Sequence, residues 1–143
     1  MPGCVLRISG ESFDVDRFLS TSGLQPYRIY HRGKPTGRRL GEHQDVSGFC
    51  VQVSDVDGDV RGEVSDAIAF LCRWEGELGR LAQESTVTDR RLDFGYHHRD
   101  VFVQSEYFPP ELLRLSGAHG IGIELSLYPQ PGDLPIRHDA RRP

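Results

Sequence analysis

Between Tyr27 and His43 the chain carries Arg28, Arg32, Lys34, Arg38 and Arg39, interleaved with Tyr27, Tyr30 and His31 and opposed by one acid, Glu42. A guanidinium group presents a planar fork of donors that suits carboxylate and phosphate, and a neighbouring aromatic ring offers a flat surface for contact. Cations set this densely repel one another unless they are solvated, paired or bound. The pattern therefore predicts an exposed surface for an acidic protein partner or, as the alternative, a phosphate-bearing ligand. The competing reading is a solvated loop whose arginines pair with the acidic remainder of the chain. A second candidate is His97-His98, followed by Arg99 and Asp100. Adjacent side chains on extended backbone point apart, so these two cannot chelate one metal as an i, i+4 helical pair would. Asp93 is the nearest acid able to orient one of them. The candidate binding set is thus Tyr27, Arg28, Tyr30, Arg32, Lys34, Arg38, Arg39, His97 and His98.

Other patterns are weaker. Asp55, Asp57 and Asp59 begin like a calcium loop, but Val60 stands where that loop needs glycine and Asp66 where it needs a bidentate glutamate. An acidic turn at a helix start, favoured by the helix dipole, accounts for them. The chain has no Gly-x-Ser-x-Gly, His-Glu-x-x-His or phosphate-loop motif. No catalytic residue, cofactor or metal is expected, and a non-enzymatic binding or regulatory role is favoured. The alternative is a small enzyme or phosphate-binding protein using the basic segment together with His97 and His98. Cys4, Cys50 and Cys72 are odd in number and carry no paired spacing, which predicts buried, reduced thiols in a cytoplasmic protein.

These candidates must be positioned by a single domain spanning about residues 1–128. The chain has 143 residues, and its net charge of −4 argues against general nucleic-acid binding. A mean hydropathy of −0.45 fits a soluble protein. No apolar run approaches a membrane span, and no secretory signal is evident. Strands are predicted over Val5–Ser9, Pro26–His31 and Phe49–Ser54, and an exposed, mobile loop over Gly33–Gly48. A helix is expected after Asp14. A long central helix runs from about Val60 to Glu84, with Trp74 buried on its apolar stripe. Thr86–Tyr96 is extended, His97–Asp100 reads as a hairpin turn, and Val101–Tyr107 as the returning strand. Pro109 and Pro110 open a helix that Gly120 ends, and Ile121–Tyr128 alternates as a strand with one buried face. The fold class is α+β: an antiparallel or mixed sheet, helices mainly on one face, and two strand–helix–strand units around the long helix. Pro129–Pro143, rich in proline and arginine, reads as a disordered tail.

Several stretches together resemble a bacterial family. They are Leu6-Arg7-Ile8-Ser9-Gly10 with the acidic helix after it, the basic segment Gly33–Arg39, and Leu112-Leu113-Arg114-Leu115 leading into Ile123-Glu124-Leu125-Ser126-Leu127-Tyr128. The family is catalogued as domain of unknown function 4279, and the resemblance spans about Val5–Tyr128. Gln25-Pro26-Tyr27 and the stretch Asp93–His98 depart from it. The resemblance implies a small cytoplasmic α+β domain and assigns no catalytic residues. An immunity-like role is one it allows.

Overall fold

The computed structural model describes residues 3–130 and Gly132. Five strands form one mixed sheet: β1 (Gly3–Gly10), β2 (Arg28–Tyr30), β3 (Ser47–Ser54), β4 (Asp89–His97) and β5 (Gly122–Tyr128), in the order β2-β3-β1-β4-β5. All pairings are antiparallel except the last, in which β5 runs parallel to β4. The helices are α1 (Val15–Ser20), α2 (Val60–Arg73), α3 (Glu75–Gln83) and α4 (Pro110–Ala118). The α+β class and the mixed sheet therefore stand.

Alternation decides the faces. Cys4, Leu6 and Ile8 of β1, Phe49 and Val51 of β3, and Leu92, Phe94 and Tyr96 of β4 are buried together under the helices. Fully burying each large side chain of this set contributes about 1.5–3 kcal/mol. The helices answer with Val15 and Phe18 from α1, Val64, Ala67 and Leu71 from α2, Leu78 and Leu81 from α3, and Leu112 from α4. Phe13, Phe18 and Phe49 cluster with ring centroids about 6 Å apart. Asp14 caps α1 by accepting from the Arg17 amide at 3.1 Å. Pro110 occupies the first turn of α4, where its missing N–H costs nothing. Gly120, at φ 65°, ends that helix region in the left-handed conformation.

Several expectations change. The long central helix is two helices, because Trp74 leaves helical geometry (φ −102°, ψ 21°) and caps both. Trp74 is half-buried rather than enclosed: it packs on Phe70 with centroids 6.3 Å apart, and a Cβ on Gly23 would lie 3.1 Å from its ring. Val101–Tyr107 is not a strand and His97–Asp100 is not a hairpin turn. The edge of β4 that a returning strand would take is occupied by β5, so residues 98–109 instead carry the chain from the sheet to α4. With no strand there, the second strand–helix–strand unit is β4–α4–β5. Nor does β5 bury a whole face, since Leu125 and Leu127 are exposed. Gly33–Gly48 is ordered by its own ladder. Pro35 bridges His43, the Gly33 and Gln44 amides donate to Gln44 and Lys34 carbonyls, and the Thr36 amide donates to Glu42. It is a basic hairpin rather than an irregular loop. Cys4, Cys50 and Cys72 are all free thiols, but only the first two are buried. The expected tail beyond Gln130 lies outside the described residues apart from Gly132. Among the described residues no helix is long and apolar enough to cross a membrane.

Candidate functional site

The face of the sheet away from the helices is polar, and register explains its layout. Arg28, Cys50, Arg7, Arg91 and Gly122 are successive partners across all five strands, placing three arginines in one transverse row. The next row reads Gln52, Val5, Asp93 and Glu124. Asp93, 5% exposed, accepts from Arg7 at 2.9 Å and from the Ser126 hydroxyl at 2.6 Å. Burial is the largest single influence and works against the Arg7 charge, but Asp93, with Cys50, Tyr27 and Glu124 adding to it, holds the guanidinium above its ordinary pKa. Arg91 is gripped by Glu124 and Asp89, and these hydrogen bonds raise its pKa as well.

The basic hairpin leans on this face. A hollow of about 260 Å³ at the junction is lined by Arg7, Arg28, Arg38, Tyr30, His43 and Asp45, among others. A second, of about 420 Å³, continues past Arg7 to Tyr27, Gln52, Asp55, Asp93 and Tyr128. Tyr30 reaches across the sheet because Gly48 gives it room: a Cβ there would fall 2.2 Å from the Ile8 carbonyl and 2.7 Å from the Tyr30 hydroxyl. Arg28 stacks over the Tyr30 ring at 5.3 Å. Burial raises the Tyr27, Tyr30 and Cys50 pKa values, which keeps these groups protonated at neutral pH.

Of the sequence candidates, Tyr27, Arg28, Tyr30 and Arg38 line the two hollows. Arg32, Lys34 and Arg39 are exposed along the hairpin. Arg28, Arg32, Lys34, Arg38 and Arg39 have no carboxylate partner among the described residues. Glu42, one of the hairpin's two acids, accepts instead from the Thr36 hydroxyl at 2.9 Å. Neither His97 nor His98 lines either hollow, although the larger one ends at Tyr128, the register partner of His97. The hairpin hollow borders the Arg7–Arg91 row, and His97 lies six residues further along β4, about 20 Å away at strand rise. There its Nε2 sits 3.7 Å from Asp57, while His98 is exposed. Asp93 orients neither histidine, being committed to Arg7 and Ser126. Arg7 and Arg91 were missed by sequence reasoning. The signal was available in the outward positions of alternating strands, Val5-Arg7-Ser9 and Arg91-Asp93.

A different polar group lies beneath the helices. Glu63, on the first turn of α2, is fully buried, and neither carboxyl oxygen has a hydrogen-bond partner among the described residues. The Tyr96 hydroxyl and His97 Nδ1 are likewise unpartnered. Burial first, then the charges of Asp57, Glu106 and Asp59, push the Glu63 pKa up to about 7. Among the described residues no three His, Cys, Asp or Glu side chains converge as metal ligands.

No family model, no curated protein and no solved structure matches the chain.

Proposed function

We propose that the protein is a non-enzymatic binding module that receives the acidic surface of a partner protein on its open sheet face and basic hairpin. The observation that carries this reading is a set of cations with no ion-pair partner among the described residues, at a hollow that Glu42 and Asp45 also line. Arg28 and Arg38 share a hollow with Arg7, and the exposed Arg32, Lys34 and Arg39 extend the same charge outward. Arg7 and Arg91 are already paired and hold the platform, while the hairpin cations have no ion-pair partner among the described residues. Tyr27, 59% exposed, and the half-buried Tyr30 add flat contact area with few torsions to freeze. A regulatory or immunity-like role is the biological form such binding would take.

A second reading, a phosphate-bearing small ligand, is favoured by the size of the junction hollow and its three guanidinium groups. It would not draw on the distant His97 and His98. Isothermal titration with a polyglutamate peptide and with inorganic phosphate separates the two. The expected result is peptide binding that weakens steeply with salt and falls roughly tenfold or more in Arg38→Glu/Arg39→Glu. Saturable phosphate binding without peptide binding would replace the first reading with the second. Peptide binding that ignores both salt and the double substitution would remove the hairpin from the site.

A further inference from the structure

The two edges of the sheet are built differently. β2 is three residues long and leads at once into the basic hairpin. β5 is seven residues long and carries no proline, lysine or bulge, the devices by which natural edge strands avoid pairing. Its only charged side chain, Glu124, is turned to Arg91 on the open face.

The direction of its backbone groups follows from one hydrogen bond. The Tyr128 carbonyl accepts from the His98 amide at 2.8 Å, so it points toward the β4 side. In a parallel ladder the N–H and C=O of a residue point the same way and alternate with those of the next residue. The β4–β5 register is regular, so Gly122, Glu124 and Ser126 also face β4. Ile123, Leu125 and Leu127 therefore present their N–H and C=O groups to the outside. The Leu125 and Leu127 side chains of this strand are themselves exposed. Among the described residues, seven of the ten exposed large apolar side chains lie between Val101 and Leu127, including Leu113, Leu125 and Leu127.

We propose that β5 pairs antiparallel with β5 of a second copy about a two-fold axis at Leu125, joining two sheets into one. The sequence of β5 is complementary to itself in this register. Leu125 meets Leu125 of the second copy, Ile123 meets Leu127, and Glu124 meets Ser126. All three outward residues then lie in hydrogen-bonded pairs, giving about six main-chain bonds. Moving the axis to Glu124 would set two carboxylates opposite each other. Moving it to Ser126 would bring Pro129, which has no N–H, opposite Ile123. The pattern of charge and donors thus selects one register and one kind of occupant, an isologous copy. In this dimer the two β2 edges, with their basic hairpins, lie at the far ends of the joined sheet.

Sedimentation equilibrium of the full chain, from low micromolar to near-millimolar concentration, tests the proposal. The expected result is a monomer–dimer equilibrium. Leu125→Lys should weaken it by roughly tenfold or more, since it sets like charges opposite each other at the axis. Leu125→Pro should weaken it as well, because the amide it removes faces away from β4 and makes no bond among the described residues. Circular dichroism checks that both variants fold. Should either unfold, amide exchange on the wild-type chain gives the same answer, with protection at Ile123, Leu125 and Leu127 rising with concentration. A chain that stays monomeric throughout, or a dimer indifferent to Leu125→Lys, overturns the proposal. So does a full chain that is monomeric where a version ending at Gln130 dimerises, because that places the C-terminal residues on the edge. Capture of an unrelated extended peptide by a monomeric chain assigns the edge to another partner and overturns it equally.

Discussion

On the open face of the sheet Asp93 is nearly buried and still satisfied, held by Arg7 and by the Ser126 hydroxyl. On the covered face Glu63 is fully buried and neither of its oxygens finds a donor among the described residues. The first carboxylate is neutralised where it sits; for the second, burial pushes the pKa up to about 7, so it holds its proton to a higher pH than an ordinary carboxyl does. The difference separates two tasks. The covered face supplies cohesion and tolerates a polar group only in its neutral form. The open face holds fixed, paired charges that brace the strands and leave the hairpin cations unspent.

The largest expected effect lies on the covered face. Phe94 is fully buried and meets Phe108 with ring centroids 5.1 Å apart. Phe94→Ala should cost about 3–5 kcal/mol in urea denaturation. A cost under about 1 kcal/mol would mean that the covered face is not the seat of stability. Next comes the proton on Glu63. Its ordinary value of 4.5 rises to about 7 on folding, so between these values the folded chain holds a proton that the unfolded chain has lost. This contribution to stability is therefore complete at or below pH 4.5 and falls as pH climbs through 7, by an amount on the order of 3 kcal/mol. Glu63→Gln should flatten that part of the pH–stability curve. An unchanged curve would show that Glu63 is solvated or paired in the folded chain.

Smaller still is Asp93→Ala on the open face. It removes two hydrogen bonds, one of them charge-assisted, but frees a half-exposed Arg7 to regain water. A loss of about 1–2 kcal/mol is expected. A loss as large as that of Phe94→Ala would erase the contrast between the faces. The smallest effect belongs to Arg38→Glu/Arg39→Glu, whose exposed side chains should change stability by no more than about 0.5 kcal/mol while binding weakens. If that pair unfolds the domain instead, the hairpin is structural and the binding reading falls.

Local patterns in the sequence carried most of the fold. Alternation marked β1, β3 and β4, Asp14 marked the start of α1, and Pro110 with Gly120 bracketed α4. What failed was non-local. Val101-Phe102-Val103 has the composition of a strand, yet the competition for the edge of β4 is won by β5, and no local signal records that contest. Trp74 fell on the helical stripe, but its backbone leaves the helix, and periodicity alone cannot register this. At the candidate site the cations were legible as a cluster. Their meeting with Arg7 was not, because it depends on the hairpin closing back over a strand remote in sequence and on which neighbours that strand acquires. His97 and His98 were legible as residues, but not the length of β4 that separates them from the hairpin.

The position of β1 has a consequence for biosynthesis. It lies at the centre of the sheet, between β3 and β4, yet it is made before either. Its first neighbour becomes available once Ser54 has left the ribosome, while its second arrives only with Asp89–His97. At ordinary elongation rates that interval is on the order of seconds. During it the nascent chain exposes one open edge of its innermost strand, with Leu6 and Ile8 lacking their β4 cover. A message truncated within α2 or α3 would release this half-sheet permanently, and its product is the form of the protein most prone to aggregate.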